Sequence, residues 1–246
     1  MSTLRVAGSS IRLQLLELAR RPSFVVPTMG FPALFFTLFD LQYARAYPHV
    51  AGGMLLSYIA FAIIGVTLFQ FGIGVAVDRT LPWERYLRTL PAPIWLRFAS
   101  RIVVAALFAL CSAAFVVIVA TAATSVRFTP GEWLFIAACA LLGAIPFVLF
   151  GLAIGYWTSP KAAVPIANIF YLLLSFAGGL WLPPSMLPDF AKAISPYTPT
   201  RQFADLLWNA PHGFSPAPLA ALAGFALLFA AIAAAGYRRD RATRFA

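Results

Sequence analysis

Long apolar stretches separated by short polar segments set the pattern of this chain. Windows without a single Asp, Glu, Lys or Arg fall at about 23–39, 53–77, 102–123, 133–157, 163–182 and 217–237. A helix rises 1.5 Å per residue, so about 20 residues cross roughly 30 Å of hydrocarbon. The windows lack the period-two alternation of barrel strands, and helices and closed barrels are the two folds that satisfy their backbone hydrogen bonds in lipid. The pattern therefore predicts six transmembrane helices, the first kinked where Pro27 and Pro32 interrupt it. A charge at the centre of a span costs roughly 2.5–3.5 kcal/mol on insertion scales, which accounts for the charges lying at the window ends.

Composition agrees with that solvent: 61% of residues are hydrophobic, 11% are charged and the mean hydropathy is +0.85. The net charge of +10 does not point to nucleic acid, because the basic residues punctuate the apolar windows instead of forming one water-facing surface. Fourteen of them (Arg5, Arg12, Arg20, Arg21, Arg79, Arg85, Arg88, Arg97, Arg101, Lys161, Arg238, Arg239, Arg241 and Arg244) fall on one side of the alternating spans and four (Arg45, Arg127, Lys192 and Arg201) on the other. That split predicts an even number of spans with both termini in the cytoplasm. Cys111 and Cys139 sit inside apolar windows and read as small hydrophobes, implying neither disulfide nor metal. Ser9–Arg21 is too polar for the apolar part of a cleavable signal, so the first span is expected to remain in the mature protein.

Three segments outside the windows are patterned. In 9–21, Ile11, Leu15 and Leu18 recur at i, i+4, i+7 while Arg12, Gln14, Glu17 and Arg20 point elsewhere, which predicts a helix lying in the membrane interface. Between the second and third windows, Trp83, Tyr86, Leu87 and Leu90 share one helical face and Glu84, Arg85 and Arg88 the other; Thr80 can cap the start, and Pro91 and Pro93 end the helix. A helix of about ten residues cannot span a bilayer and is marginal alone in water, so it needs a protein or headgroup surface. After the fifth window, the proline-rich stretch 183–210 predicts two short amphipathic helices. One carries Leu187, Phe190 and Ile194, the other Phe203, Leu206 and Leu207, with a turn at Pro196–Pro199 between them, and both pack on the external mouth of the bundle.

These segments carry a resemblance. An N-terminal interfacial helix, a Glu-bearing cytoplasmic helix after the second span and the run from Gly178-Gly179 through Pro183-Pro184, Leu187-Pro188, Ser195-Pro196 and Pro199 together resemble the type-2 ABC transporter permease family over nearly the whole chain. The Gly-Thr of the family's usual loop appears here as Asp78-Arg79-Thr80, with no Gly. The resemblance implies one transmembrane domain over 1–246 in the bacterial cytoplasmic (inner) membrane. It implies the permease subunit of an ABC exporter, an all-α protein of six spans with an interfacial helix, a cytoplasmic coupling helix and short external re-entrant helices. It further implies that Leu81–Leu90 is the coupling helix that seats in a cleft of a separate ABC ATPase subunit, and that a second permease copy or a related permease completes the path. Leu81, Trp83, Tyr86, Leu87 and Leu90 would then fill the cleft, with Glu84, Arg85 and Arg88 as rim charges.

ATP and Mg are expected on that partner and not on this chain, whose two lysines, Lys161 and Lys192, lie in no G-x-x-x-x-G-K-[ST] loop. His49 and His212 fall in external loops without matched partners, so nothing in the sequence suggests catalysis. Within the spans, Gln70, Asn168, Tyr171 and Ser175 either hydrogen-bond between helices or line a substrate path. Gly151 and Gly155 form a G-x-x-x-G that reads as helix packing. The alternative to an ATP-driven exporter is a secondary transporter or channel without an ATPase partner. The charge-free windows argue against ion coupling, and the short helix at 81–90 argues against a channel.

Overall fold

The computed structural model describes residues 8, 11–16, 20, 22–81 and 94–244. Among them all regular structure is helical, and six helices are long and apolar enough to cross a membrane, so the chain is an all-α integral membrane protein. Helix α1 runs Pro22–Phe35 and continues through a π-helical turn, Phe36–Asp40, into Leu41–Ala46. Helix α2 is Pro48–Leu68, followed by the π turn Phe69–Ile73 and Gly74–Asp78. Then come α3 (Ile94–Ala123), α4 (Pro130–Trp157), α5 (Pro160–Ala177), the short α6 (Asp189–Ile194) and α7 (Pro199–Asn209), and α8 (Pro216–Arg244).

Local chemistry sets several of these boundaries. Pro48, Pro130, Pro160, Pro199 and Pro216 each open a helix, where the missing N–H is not needed and the fixed φ suits the first turn. Thr129 and Glu132 close a reciprocal capping box at the head of α4: the Glu132 N–H donates to Thr129 Oγ1 (3.3 Å) and the Thr129 N–H to Glu132 Oε2 (2.6 Å). Helix α5 stops at Ala177, short of the predicted 182. Gly179 adopts φ +74°, and the N–H groups of Gly179 and Leu180 donate to Phe176 O and Ser175 O, a glycine-terminated turn that a residue with Cβ would strain. The first span is longer than its predicted window, since the apolar helix covers Val25–Ala46 and so takes in Asp40.

Helix α2 is the axis of the bundle. In its most apolar stretch 78% of residues are buried within the protein, against 22–33% for the other five spans. It contacts α1, α3, α4, α5 and α7, while α8 lies along α4 on the far side. Apolar matter gains little by leaving lipid for protein, so such contacts depend on close packing, and small residues permit it. The G-x-x-x-G of α4 is used in this way. A Cβ on Gly155 would stand 2.8 Å from Phe71 O and 2.9 Å from Val75 Cβ of α2, and one on Gly151 would stand 3.0 Å from Thr67 O.

The inter-helix segments gather at two ends. Residues 78–81, the start of α3, the α4–α5 turn and the C-terminal turns of α8 share one, and the other collects the α1–α2 and α3–α4 connections and residues 178–216. Gln14 Nε2 donates to Ser100 Oγ (2.9 Å), and Arg79 Nη1 to Asp240 Oδ1 (2.6 Å). The described N-terminal and C-terminal segments therefore meet the same end of the bundle, as an even number of spans requires.

Gly155→Leu is expected to destabilise the purified protein by about 1–3 kcal/mol, because the new side chain meets backbone that cannot rotate away. Gly224→Leu, at a position of α8 with open space around it, should change stability by less than about 0.5 kcal/mol. Thermal unfolding in detergent compares the two.

Candidate functional site

At the end where both termini lie, the last turn of α2 is tied to three other spans. Asp78 pairs with Arg101 of α3. Arg79 pairs with Asp240 of α8, and its Nη2 donates to Thr158 O at the close of α4 (2.5 Å). Asp240 is 7% exposed in its side chain and Arg79 17%, so this is a largely desolvated, charge-assisted pair. Nearby, Trp157 Nε1 donates to Ile232 O (2.9 Å) while the Arg239 guanidinium stands over its ring at 5.3 Å, locking α4 to α8. Thr80 donates its hydroxyl to Val77 O (2.7 Å), and Leu81 is exposed at the last described position before 94. Trp83, Glu84, Arg85, Tyr86, Leu87, Arg88 and Leu90 lie outside the described residues, as does Leu18.

The N-terminal segment is helical at 11–16. Ile11 and Leu15 are half-buried, but so is Gln14, which the periodicity had pointed outward. Its amide reaches Ser100 instead, and Leu13 and Leu16 are the exposed apolar residues. One hydrogen bond to a neighbouring helix thus turns a polar side chain inward against the local amphipathic pattern.

The four polar residues of the spans do not form one open path in the chain. Tyr171 is buried: its ring stacks on Phe61 at 4.5 Å, meets Phe69 edge-on at 5.3 Å, and its hydroxyl donates to Phe61 O (3.2 Å). Gly65 makes the room, since a Cβ there would stand 2.8 Å from the Tyr171 hydroxyl. Tyr171 thus fastens α5 to α2. Ser175 is fully buried one turn further along α5, Asn168 is exposed nearer the start of that helix, and Gln70 is half-buried in the π turn of α2.

At the other end, α7 is driven into the mouth of the bundle. Phe203, Leu206 and Leu207 are all buried, Phe203 beside Gly143 and 5.6 Å from Phe147 of α4. Thr200 Oγ1 donates to Leu174 O (2.5 Å), and Trp208 Nε1 to Gly53 O (3.1 Å) and Ser57 Oγ (2.9 Å). The companion face is corrected. Leu187 is buried, but Phe190 and Ile194 are exposed, and Ala191 is the buried residue of α6. The helix begins only at Asp189, after Pro188, so Leu187 belongs to extended chain and has no helical phase in common with the other two.

Beneath α7 lies a cavity of about 580 Å³ whose walls include Asp40, His49, Gly53, Ser57, Arg127, Phe128, Trp181, Trp208 and His212. Asp40 is 7% exposed, and its polar neighbour is the Tyr58 hydroxyl of α2. From Trp181 a column of rings descends into the membrane, with Phe35 5.6 Å and Phe61 5.4 Å away and Phe61 stacked in turn on Tyr171. Sequence reading missed this constellation. Asp40 follows the last residue of the first window and looked like an end marker, and His49 and His212 were unpaired in sequence but share the cavity wall. The signal that could have found it is the amphipathic segment 199–209, whose tryptophan needs a buried partner for its N–H.

Residues 8–210 match the model of the ABC-2 type transporter family. Over 162 residues the chain is 26% identical to a protein of Bacillus subtilis (strain 168) named "Putative transport permease YvfS", an alignment covering 66% of this chain and 66% of that one.

Asp240→Ala should destabilise the protein by about 2–3 kcal/mol, because the Arg79 charge would stay largely buried without its carboxylate. The paired change Arg79→Met with Asp240→Leu should cost clearly less than the sum of the single changes, and a double-mutant cycle by thermal unfolding measures the difference.

Proposed function

We propose, because the chain belongs to the ABC-2 type transporter family, that it is the transport permease subunit of an ATP-driven exporter and that ATP and Mg are bound on separate ABC ATPase subunits. Two copies, or one copy and a related permease, flank the substrate path in a bacterial cytoplasmic membrane. The end holding the termini and most of the arginines faces the cytoplasm, in keeping with the fourteen-to-four division of basic residues. Segment 81–90 is the coupling helix, with Leu81, Trp83, Tyr86, Leu87 and Leu90 as its apolar anchor and Glu84, Arg85 and Arg88 as its rim. Ile11, Leu15 and Leu18 brace it from the interfacial segment.

The observation that carries this reading is the anchorage at the root of that segment. Asp78 and Arg79 stand immediately before it and are held to α3, α4 and α8. A push on 81–90 by closing ATPase subunits therefore reaches four spans together and moves them as a body. At the far end α7, seated in the mouth of the bundle, is the element that such a movement would open or close. Asp40 is the observation that favours the second reading, ion-coupled transport or a channel, since it places a buried carboxylate inside a span.

Trp83→Ala combined with Glu84→Arg is expected to abolish co-purification with the ATPase or to uncouple ATP hydrolysis from export. Unaltered transport by this variant, or uphill transport by the purified chain without an ATPase, would defeat the exporter reading in favour of the second.

A further inference from the structure

The outer cavity holds a buried carboxylate that forms no ion pair with the described residues, although Arg127 lines the same cavity. None of the ion pairs among them includes Asp40. The basic side chains on that side are occupied elsewhere. Arg45 Nε donates to Ala123 O (3.0 Å), Arg127 Nη1 donates to Thr121 O and Val126 O, and Arg201 pairs with Asp205 and stacks over Trp208. His49 and His212, on the cavity wall, are the remaining titratable groups that face the space with Asp40 and Arg127. A carboxylate taken out of water is stable when it meets a cation or a proton. Trp181 lines the same cavity, and its Nε1 is buried without an acceptor among the described residues.

We propose that this cavity is a recognition site for an organic cation, an amphiphile whose ammonium or similar head pairs with Asp40 and rests against the rings of Trp181 and Trp208. Four features fit that ligand class. A volume of about 580 Å³ matches the usual space for a drug-sized molecule. Asp40, with a tyrosine hydroxyl beside it, is the one carboxylate among the residues lining the cavity, and the described residues hold no group of His, Cys, Asp and Glu suited to a metal ion. Indole faces attract quaternary and primary ammonium groups. The column of rings from Trp181 through Phe61 to Tyr171 continues the aromatic surface inward, giving the apolar part of the molecule a neighbour within the membrane. The inference rests on the permease reading, of which it specifies the cargo class.

The test is binding to the purified full-length chain in neutral maltoside micelles, with no ATPase present. Tetraphenylphosphonium is the cationic probe and tetraphenylborate its anionic counterpart of the same shape, both followed through tryptophan fluorescence. Tetraphenylphosphonium should bind saturably, and Asp40→Asn should weaken it by about 30-fold or more, as expected when a desolvated charge pair loses one partner. Gly53→Leu fills the cavity without meeting other atoms near its Cβ, so it should also abolish binding while leaving Asp40 in place. Undiminished cation binding by both variants, or equal affinity for the borate, would overturn the proposal. Because the ATPase takes no part, a chain that binds the cation through Asp40 yet transports without ATP would refute only the exporter reading. One that couples to an ATPase but shows no Asp40-dependent binding would refute only the cargo class.

Discussion

A helix placed at the centre of a lipid-embedded bundle must bring its backbone close to every neighbour, because no release of water rewards looser contact there. Helix α2 meets this demand with glycines on both sides of the seams. Gly151 and Gly155 of α4 admit the backbone around Phe71, and Gly65 of α2 itself admits the ring of Tyr171 from α5. The π turn Phe69–Ile73 falls at the height where these contacts converge, where one extra residue per turn re-aims the side chains around Phe71 and Gly72 toward α4. The other spans are arranged around that axis, and each leaves most of its surface to lipid or to a further protein copy.

The two ends of the axis are built from different physics. Where the termini lie, charged groups do the joining. Asp78, Arg79, Arg101 and Asp240 sit at the depth where a helix leaves hydrocarbon, so they can be partly desolvated without the full penalty of the bilayer centre. The opposite end is joined by aromatic and amide contacts through α7, with the cavity that holds Asp40 beneath them. The two ends thus differ in kind, with charged pairs at one and, at the other, aromatic and amide contacts around a cavity that holds a buried carboxylate.

Asp40 also bears on how such a chain can be sorted by mechanism. Its carboxylate lies in a span by helix geometry but outside it by hydropathy, since the helix continues through a π turn into Leu41–Ala46. The first span thus carries an ionisable group that the charge-free windows leave out, and the nature of the group that meets Asp40 separates a cargo site from a coupling site.

The class of fold was legible in the chain because it depends on sums over about 20 residues, and hydropathy, the distribution of basic residues and the ends marked by Pro and Gly add up in sequence without any partner. The same holds for the short helices after α5, where prolines punctuate and Phe203, Leu206 and Leu207 keep phase. Tertiary structure alone decided which way single polar groups turn: Gln14 inward to Ser100, Tyr171 into a glycine notch, Phe190 and Ile194 outward, Asp40 under α7 with His49 and His212. Each of those outcomes is a contact between residues far apart in the chain, fixed by how closely two backbones approach, and that distance has no local signature in the sequence.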